Sequence, residues 1–111
     1  MLEIKQIHHP TYSVVVLSGR LDAVTSSELD LVLQATENAK KNSVILNMAS
    51  VDYLSSAGLR SMLGSTKRQA TKQKKLIICN LTPAVMDIIH IAGFDQIFTL
   101  APSLDIAITL I

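Results

Sequence analysis

Apolar positions in this chain fall into two alternating patterns. Val14-Val15-Val16-Leu17, Val44-Ile45-Leu46 and Leu76-Ile77-Ile78-Cys79 are unbroken, mostly β-branched runs. Such runs suit strands buried on both faces. Between them, apolar residues recur three and four apart. Leu29, Val32, Leu33 and Thr36 make one stripe; Leu59, Met62, Leu63, Thr66 and Ala70 make a second; Val85, Ile88, Ile89 and Ala92 make a third. Each stripe predicts a helix with one buried face. Leu2, Ile4 and Ile7 predict a short first strand, and Ile97-Phe98-Thr99-Leu100 a last one. A final helix is expected from Pro102 to about Leu110.

The residues between these segments set their ends. Pro10 cannot donate to a ladder and holds His9 extended, so His8-His9-Pro10-Thr11 reads as a turn. The second strand is expected to stop at Ser18-Gly19. Thr25 with Glu28 three residues on reads as a capping box, so the first helix should start there. It should run to about Ala39 or Lys41, where Lys40-Lys41 suit the negative end of the dipole, with Asn42-Ser43 as the loop. Asn47 to Gly58 reads as a polar, tight segment, and the second helix should end near Lys72. Thr82-Pro83 gives a third helix an N-cap followed by a proline at the first position. Gly93 should end that helix, with Phe94 supplying a capping contact. The order is β-β-α-β-α-β-α-β-α. It predicts a single α/β domain over residues 1–111, with about five strands in a mainly parallel mixed sheet, about four helices and right-handed crossovers.

Composition removes several functions. The 111 residues suffice for one domain, and 49% hydrophobic with 17% charged residues excludes disorder. Ten basic against nine acidic residues leave a formal charge of +1, which excludes a strongly basic nucleic-acid binder. No apolar run is long enough for membrane insertion, and the start has no basic region leading into an apolar stretch. A cytoplasmic location is expected.

Little of the chain resembles catalytic equipment. His8, His9 and His90 lack HxH or HExxH spacing, so no metal site is expected. Cys79, the lone cysteine, reads as a small buried hydrophobe. There is no GxGxxG or Walker pattern, so no nucleotide cofactor is expected. Leu54 stands where a GxSxG elbow would need its first glycine, so a serine enzyme is disfavoured and no catalytic residue is assigned. The basic cluster from Lys67 to Lys75 reads as a solvated helix end, with contact to an acidic partner as the alternative.

The most informative stretch is Val51 to Arg60, which follows a buried strand and opens a helix. In a parallel sheet, sites form at the carboxyl ends of strands. Ser55 or Ser56 can cap the helix, but two serines exceed what a cap requires. Ala57 and Gly58 are small enough to let another group approach closely. A phosphate on a serine here would add roughly −1.5 to −2 charges at a helix start that tolerates them. The fold should survive, while a partner packed over the surface should not stay bound. A loss of about 3 kcal/mol weakens affinity roughly a hundredfold.

These residues resemble the STAS domains, and among them the single-domain bacterial anti-sigma factor antagonists. Leu17-Ser18-Gly19-Arg20-Leu21-Asp22-Ala23, followed by Ser27-Glu28-Leu29, is similar to the family's G-x-[LI]-D segment. Val44 to Ser50 running through Val51-Asp52-Tyr53-Leu54-Ser55-Ser56-Ala57-Gly58-Leu59 is similar to its strand, loop and S-[STA]-G-L helix start. The resemblance implies phosphorylation at Ser56, with Ser55 as the alternative acceptor. It implies a partner surface of Asp22, Ser55, Ser56, Ala57, Gly58 and Arg60. It also implies an anti-sigma factor that is a serine-protein kinase, a PPM-type phosphatase, and a role as substrate rather than enzyme. Many relatives carry Asp where this chain has Ser55 and Asn47. The alternative is a STAS module that binds a nucleotide or small ligand, or a scaffold subunit of a transport, secretion or stress-signalling complex.

Overall fold

The computed structural model describes residues 1–40 and 42–111, Lys40 by its backbone alone. Strands β1 (Leu2–His8), β2 (Tyr12–Leu21), β3 (Ser43–Leu54), β4 (Leu76–Cys79) and β5 (Thr99–Ala101) form one sheet in the order β1-β2-β3-β4-β5. β1 is antiparallel to β2, and the remaining pairs are parallel. Helices α1 (Ala23–Lys40), α2 (Ser56–Thr71) and α3 (Pro83–Ile91) cross between successive parallel strands, and α4 (Leu104–Thr109) follows β5. The expected element order and sheet type are what the structure holds.

The strand order explains where the helices lie. Each crossover steps to the next strand in one direction, so right-handed connections put α1, α2 and α3 on the same face. Val15, Leu17, Leu46, Met48 and Ile78 meet Leu29, Leu33, Met62, Val85 and Ile89 there. On the opposite face Val14, Ile45, Ile77 and Cys79 pack with Ala101, Ala107, Leu104 and Leu110. Strand alternation sends neighbouring residues of each apolar run to opposite cores, so the runs need no polar positions.

Several ends differ from the sequence reading. β2 continues past Ser18-Gly19 to Leu21, with register shifts against β3 on both sides of Gly19. Gly19 has φ +124°, and a side chain there would collide with the backbone oxygen of Met1, so only glycine fits this turn of the strand. β3 likewise runs to Leu54, because Val51 and Leu54 reach the core while Asp52 and Tyr53 stay exposed. The last strand starts two residues later than expected, and α4 begins after Ser103, whose hydroxyl accepts from the Ile106 N–H. α1 starts at Ala23 instead of Thr25 and ends at Lys40; the expected alternative end, Lys41, lies outside the described residues. Thr82 caps α3 as expected, accepting from the Val85 N–H, and Gly93 takes the left-handed conformation at φ 79°.

Candidate functional site at the start of α2

Leu21 and Leu54 are register partners at the carboxyl ends of β2 and β3. Two helices therefore start side by side. Asp22 caps α1, its Oδ1 accepting from the N–H groups of Val24 and Thr25 at 3.0 and 2.9 Å. Thr25 Oγ1 accepts in return from the Asp22 N–H at 2.9 Å. This reciprocal box sits three residues upstream of the expected Thr25–Glu28 box. An acid fits better at the start of a helix, where the dipole and free N–H groups favour negative charge. The hydrogen bonds from Thr25, backbone and side chain, hold the Asp22 carboxyl below the usual carboxylate range, with the Val24 N–H adding to the effect.

Ser55 ties α2 to that start. Its N–H donates to the Leu21 carbonyl at 2.8 Å, and its Oγ accepts from the Gly58 N–H at 3.2 Å. Ser55 is thus the N-cap, half-buried and engaged. Two of the four orphan N–H groups of the helix start are satisfied this way, leaving those of Ser56 and Ala57 for solvent or a ligand. Ser56 is exposed at the first helical position, and its hydroxyl makes no hydrogen bond among the described residues.

The other expected surface residues divide. Ala57 and Arg60 line a cavity of about 360 Å³ between α1 and α2, together with Ala23, Ser26, Ser27, Asp30 and Ser61. Gly58 does not reach the surface. It is buried, and a Cβ added to it would lie 2.5 Å from Leu54 Cδ1, 3.2 Å from Leu21 Cβ and 3.4 Å from Ser26 Oγ. The close approach anticipated at Gly58 is therefore made by this chain's own β2, β3 and α1. Gly58 sets the spacing of the site from beneath.

Two features had no signal in the sequence. The Arg20 guanidinium carbon stands 4.2 Å from the centre of the Tyr53 ring, an exposed cation–π pair beside the helix starts. Arg20 and Tyr53 lie far apart in the chain and meet only through the β2–β3 register. The second is Glu37, fully buried on α1. Its carboxylate accepts from Ser65 Oγ at 2.5 Å and from Arg68 Nε and Nη2 at 2.6 and 3.2 Å. Arg68 falls in the basic cluster that the sequence reads as a solvated helix end. It serves instead as the counter-ion locking α2 to α1.

The three histidines have partners close to them in the chain. His8 Nδ1 lies 2.9 Å from Ser13 Oγ, His9 stacks on Tyr12, and His90 Nδ1 lies 2.7 Å from Asp95 Oδ2. No group of three metal-ligating side chains exists among the described residues. Burial pushes the Cys79 thiol up to about 11. Among the described residues, no helix is long and apolar enough to cross a membrane.

Known proteins share this fold and part of this sequence. BtrV of Bordetella bronchiseptica, a candidate anti-sigma factor antagonist, is 33% identical over 94 residues, covering 85% of this chain and 81% of its own. The anti-sigma F factor antagonist of Paenibacillus polymyxa is 27% identical over 97 residues, covering 86% and 83%. The crystal structure of an anti-sigma factor antagonist from Mycobacterium paratuberculosis superposes with a TM-score of 0.88 at 26% identity, covering 99% of this chain and 93% of that one. The STAS domain model matches residues 2–107, the whole sheet and all its crossovers, and the chain belongs to the STAS domain family.

Proposed function

We propose that this chain is an anti-sigma factor antagonist working by partner switching, with Ser56 as its phosphorylated residue. The unmodified domain binds an anti-sigma factor that is also a serine kinase, and so releases a sigma factor in the cytoplasm. Phosphate on Ser56 blocks that binding, and a PPM-type phosphatase restores it. The domain is the substrate of both enzymes and performs no catalysis itself.

One observation carries the choice of residue. Ser56 presents a free, exposed hydroxyl at the first position of α2, whereas the Ser55 hydroxyl is occupied as the cap. A phosphate on Ser56 meets the unpaired N–H groups of the first turn and the positive end of the helix dipole, so the fold tolerates it. A partner seated over Asp22, Ser55, Ala57 and Arg60 must desolvate it, which is unfavourable without a cation of its own. The antagonists of Bordetella and Mycobacterium support the class of function. The same fold, at 14% identity and a TM-score of 0.73, is known for the antagonist SpoIIAA in unphosphorylated and phosphorylated forms.

The test is intact-mass measurement after incubation with the cognate kinase and ATP, followed by mapping of the modified residue. One phosphate at Ser56 is expected. Ser56→Ala abolishes it and keeps partner binding. Ser56→Asp folds normally and binds about a hundredfold more weakly, a loss of about 3 kcal/mol. A phosphate mapped to any other residue, or none from a kinase proven active, overturns the assignment.

A further inference from the structure

We propose that Arg60 clamps the phosphate on Ser56 from within α2. This rests on the assignment of Ser56 above. Residues 56 and 60 are one turn apart on the same face of a continuous helix, with Cβ atoms about 6 Å apart. Helical side chains lean toward the N-terminus, so Arg60 covers the turn that holds Ser56 and Ala57. It lines the rim of the α1–α2 cavity beside Ala57.

The neighbouring cations are already engaged. Arg68 is held by the buried Glu37, and Arg20 lies over Tyr53. Arg60 is exposed and has neither a carboxylate partner nor a hydrogen bond among the described residues. No acidic residue stands in the first turn of α2 to compete for it. Asp30 across the cavity accepts from Gln34 Nε2 at 2.8 Å and lies 3.8 Å from Arg68 Nη1. A phosphate on Ser56 would find backbone donors of Ser56 and Ala57 on one side and a guanidinium fork on the other. Arginine is suited to such bidentate contact with phosphate oxygens.

Two states follow for one side chain. In the unmodified domain Arg60 is exposed and unpaired among the described residues. In the modified domain the phosphate holds it. The surface therefore changes by more than one introduced group.

The experiment places phosphoserine at position 56 during translation, which bypasses the kinase, and follows the phosphate by 31P NMR between about pH 4 and 8, spanning its second ionisation near 6. The clamp favours the dianion. The second pKa in Arg60→Gln should therefore be about half a unit higher than in the otherwise unchanged chain at low salt, with Arg60→Lys between them. In about 1 M salt the difference should shrink toward zero, since the Debye length falls to about 3 Å. Equal pKa values at low salt in folded wild-type and Arg60→Gln proteins overturn the clamp. Failure of the kinase to modify Ser56 overturns the earlier assignment instead, so the two failures are separable.

Discussion

Replacing Arg68 by alanine should cost this domain about 2–3 kcal/mol. Arg68 supplies two of the three hydrogen bonds to the Glu37 carboxylate, through Nε at 2.6 Å and Nη2 at 3.2 Å. The Glu37 side chain is 1% exposed and the Arg68 side chain 33%. Removing one partner of a fully buried pair costs about 3–5 kcal/mol, because the remaining charge is left without solvent or counter-ion. Here water enters from the exposed side of Arg68, and Ser65 Oγ keeps its bond to the carboxylate, so the cost falls to the bottom of that range or just below it, about 2–3 kcal/mol. Replacing both residues by leucine removes the buried charge together with its counter-ion and should recover most of the loss. Urea unfolding with unchanged m-values is the assay, and thermal melting should fall by about 10 °C or more. A loss below about 1 kcal/mol for Arg68→Ala, or a double variant no better than the single one, would show that water solvates Glu37 well enough alone. The pair would then not be what fastens α2 to α1.

Three further outcomes follow from the site and its surroundings. Gly58→Ala, a change that stabilises an open helix by about 1 kcal/mol, should here destabilise by about 1–2 kcal/mol, since Leu21 Cβ cannot yield without its strand; equal or higher stability in urea would refute this spacing role. The Asp22 carboxyl is held low by its bonds to Thr25, so its contribution is present above the ordinary carboxylate pKa of about 3.9 and is lost as pH falls through the lower folded value. Wild type should thus lose melting temperature below about pH 4 more steeply than Asp22→Asn, which caps without titrating; parallel curves would count against the charge. With its thiol pushed up to about 11, Cys79 is about one part in a thousand thiolate near pH 8, so native protein should resist iodoacetamide and label only after unfolding; rapid native labelling would mean the α4 face opens.

Much was legible in the chain because local chemistry decided it. The β4 run Leu76–Cys79 and the α3 start at Thr82-Pro83 have the bounds their residues predict. An aliphatic run and a cap followed by proline each act within a few residues. The same holds for the serines, placed at a helix start by the run before them and the stripe after them. The errors lie where a distant segment intervened. β2 continues through Gly19 because it pairs with β1 on one side and β3 on the other, and the polar stretch after Asn47 remains strand because β2 extends beside it. The α1 cap moved to Asp22 because Leu21 remains in the sheet and fixes where the helix can turn away.

The sequence by itself determined the element order, the two-core sheet and the serine pair at the start of α2. Its periodicities and caps are local, and right-handed crossovers leave little freedom in joining them. Only the tertiary structure decided which serine is free, what Gly58 faces and which cations are engaged. Ser55 is occupied because Leu21 and Leu54 are register partners, Arg20 because Tyr53 pairs beside it, and Arg68 because Glu37 is buried opposite. Each pairing joins residues about thirty positions apart, a distance at which no spacing in the chain records the contact, and together they leave Ser56 and Arg60 exposed one turn apart at the start of one helix.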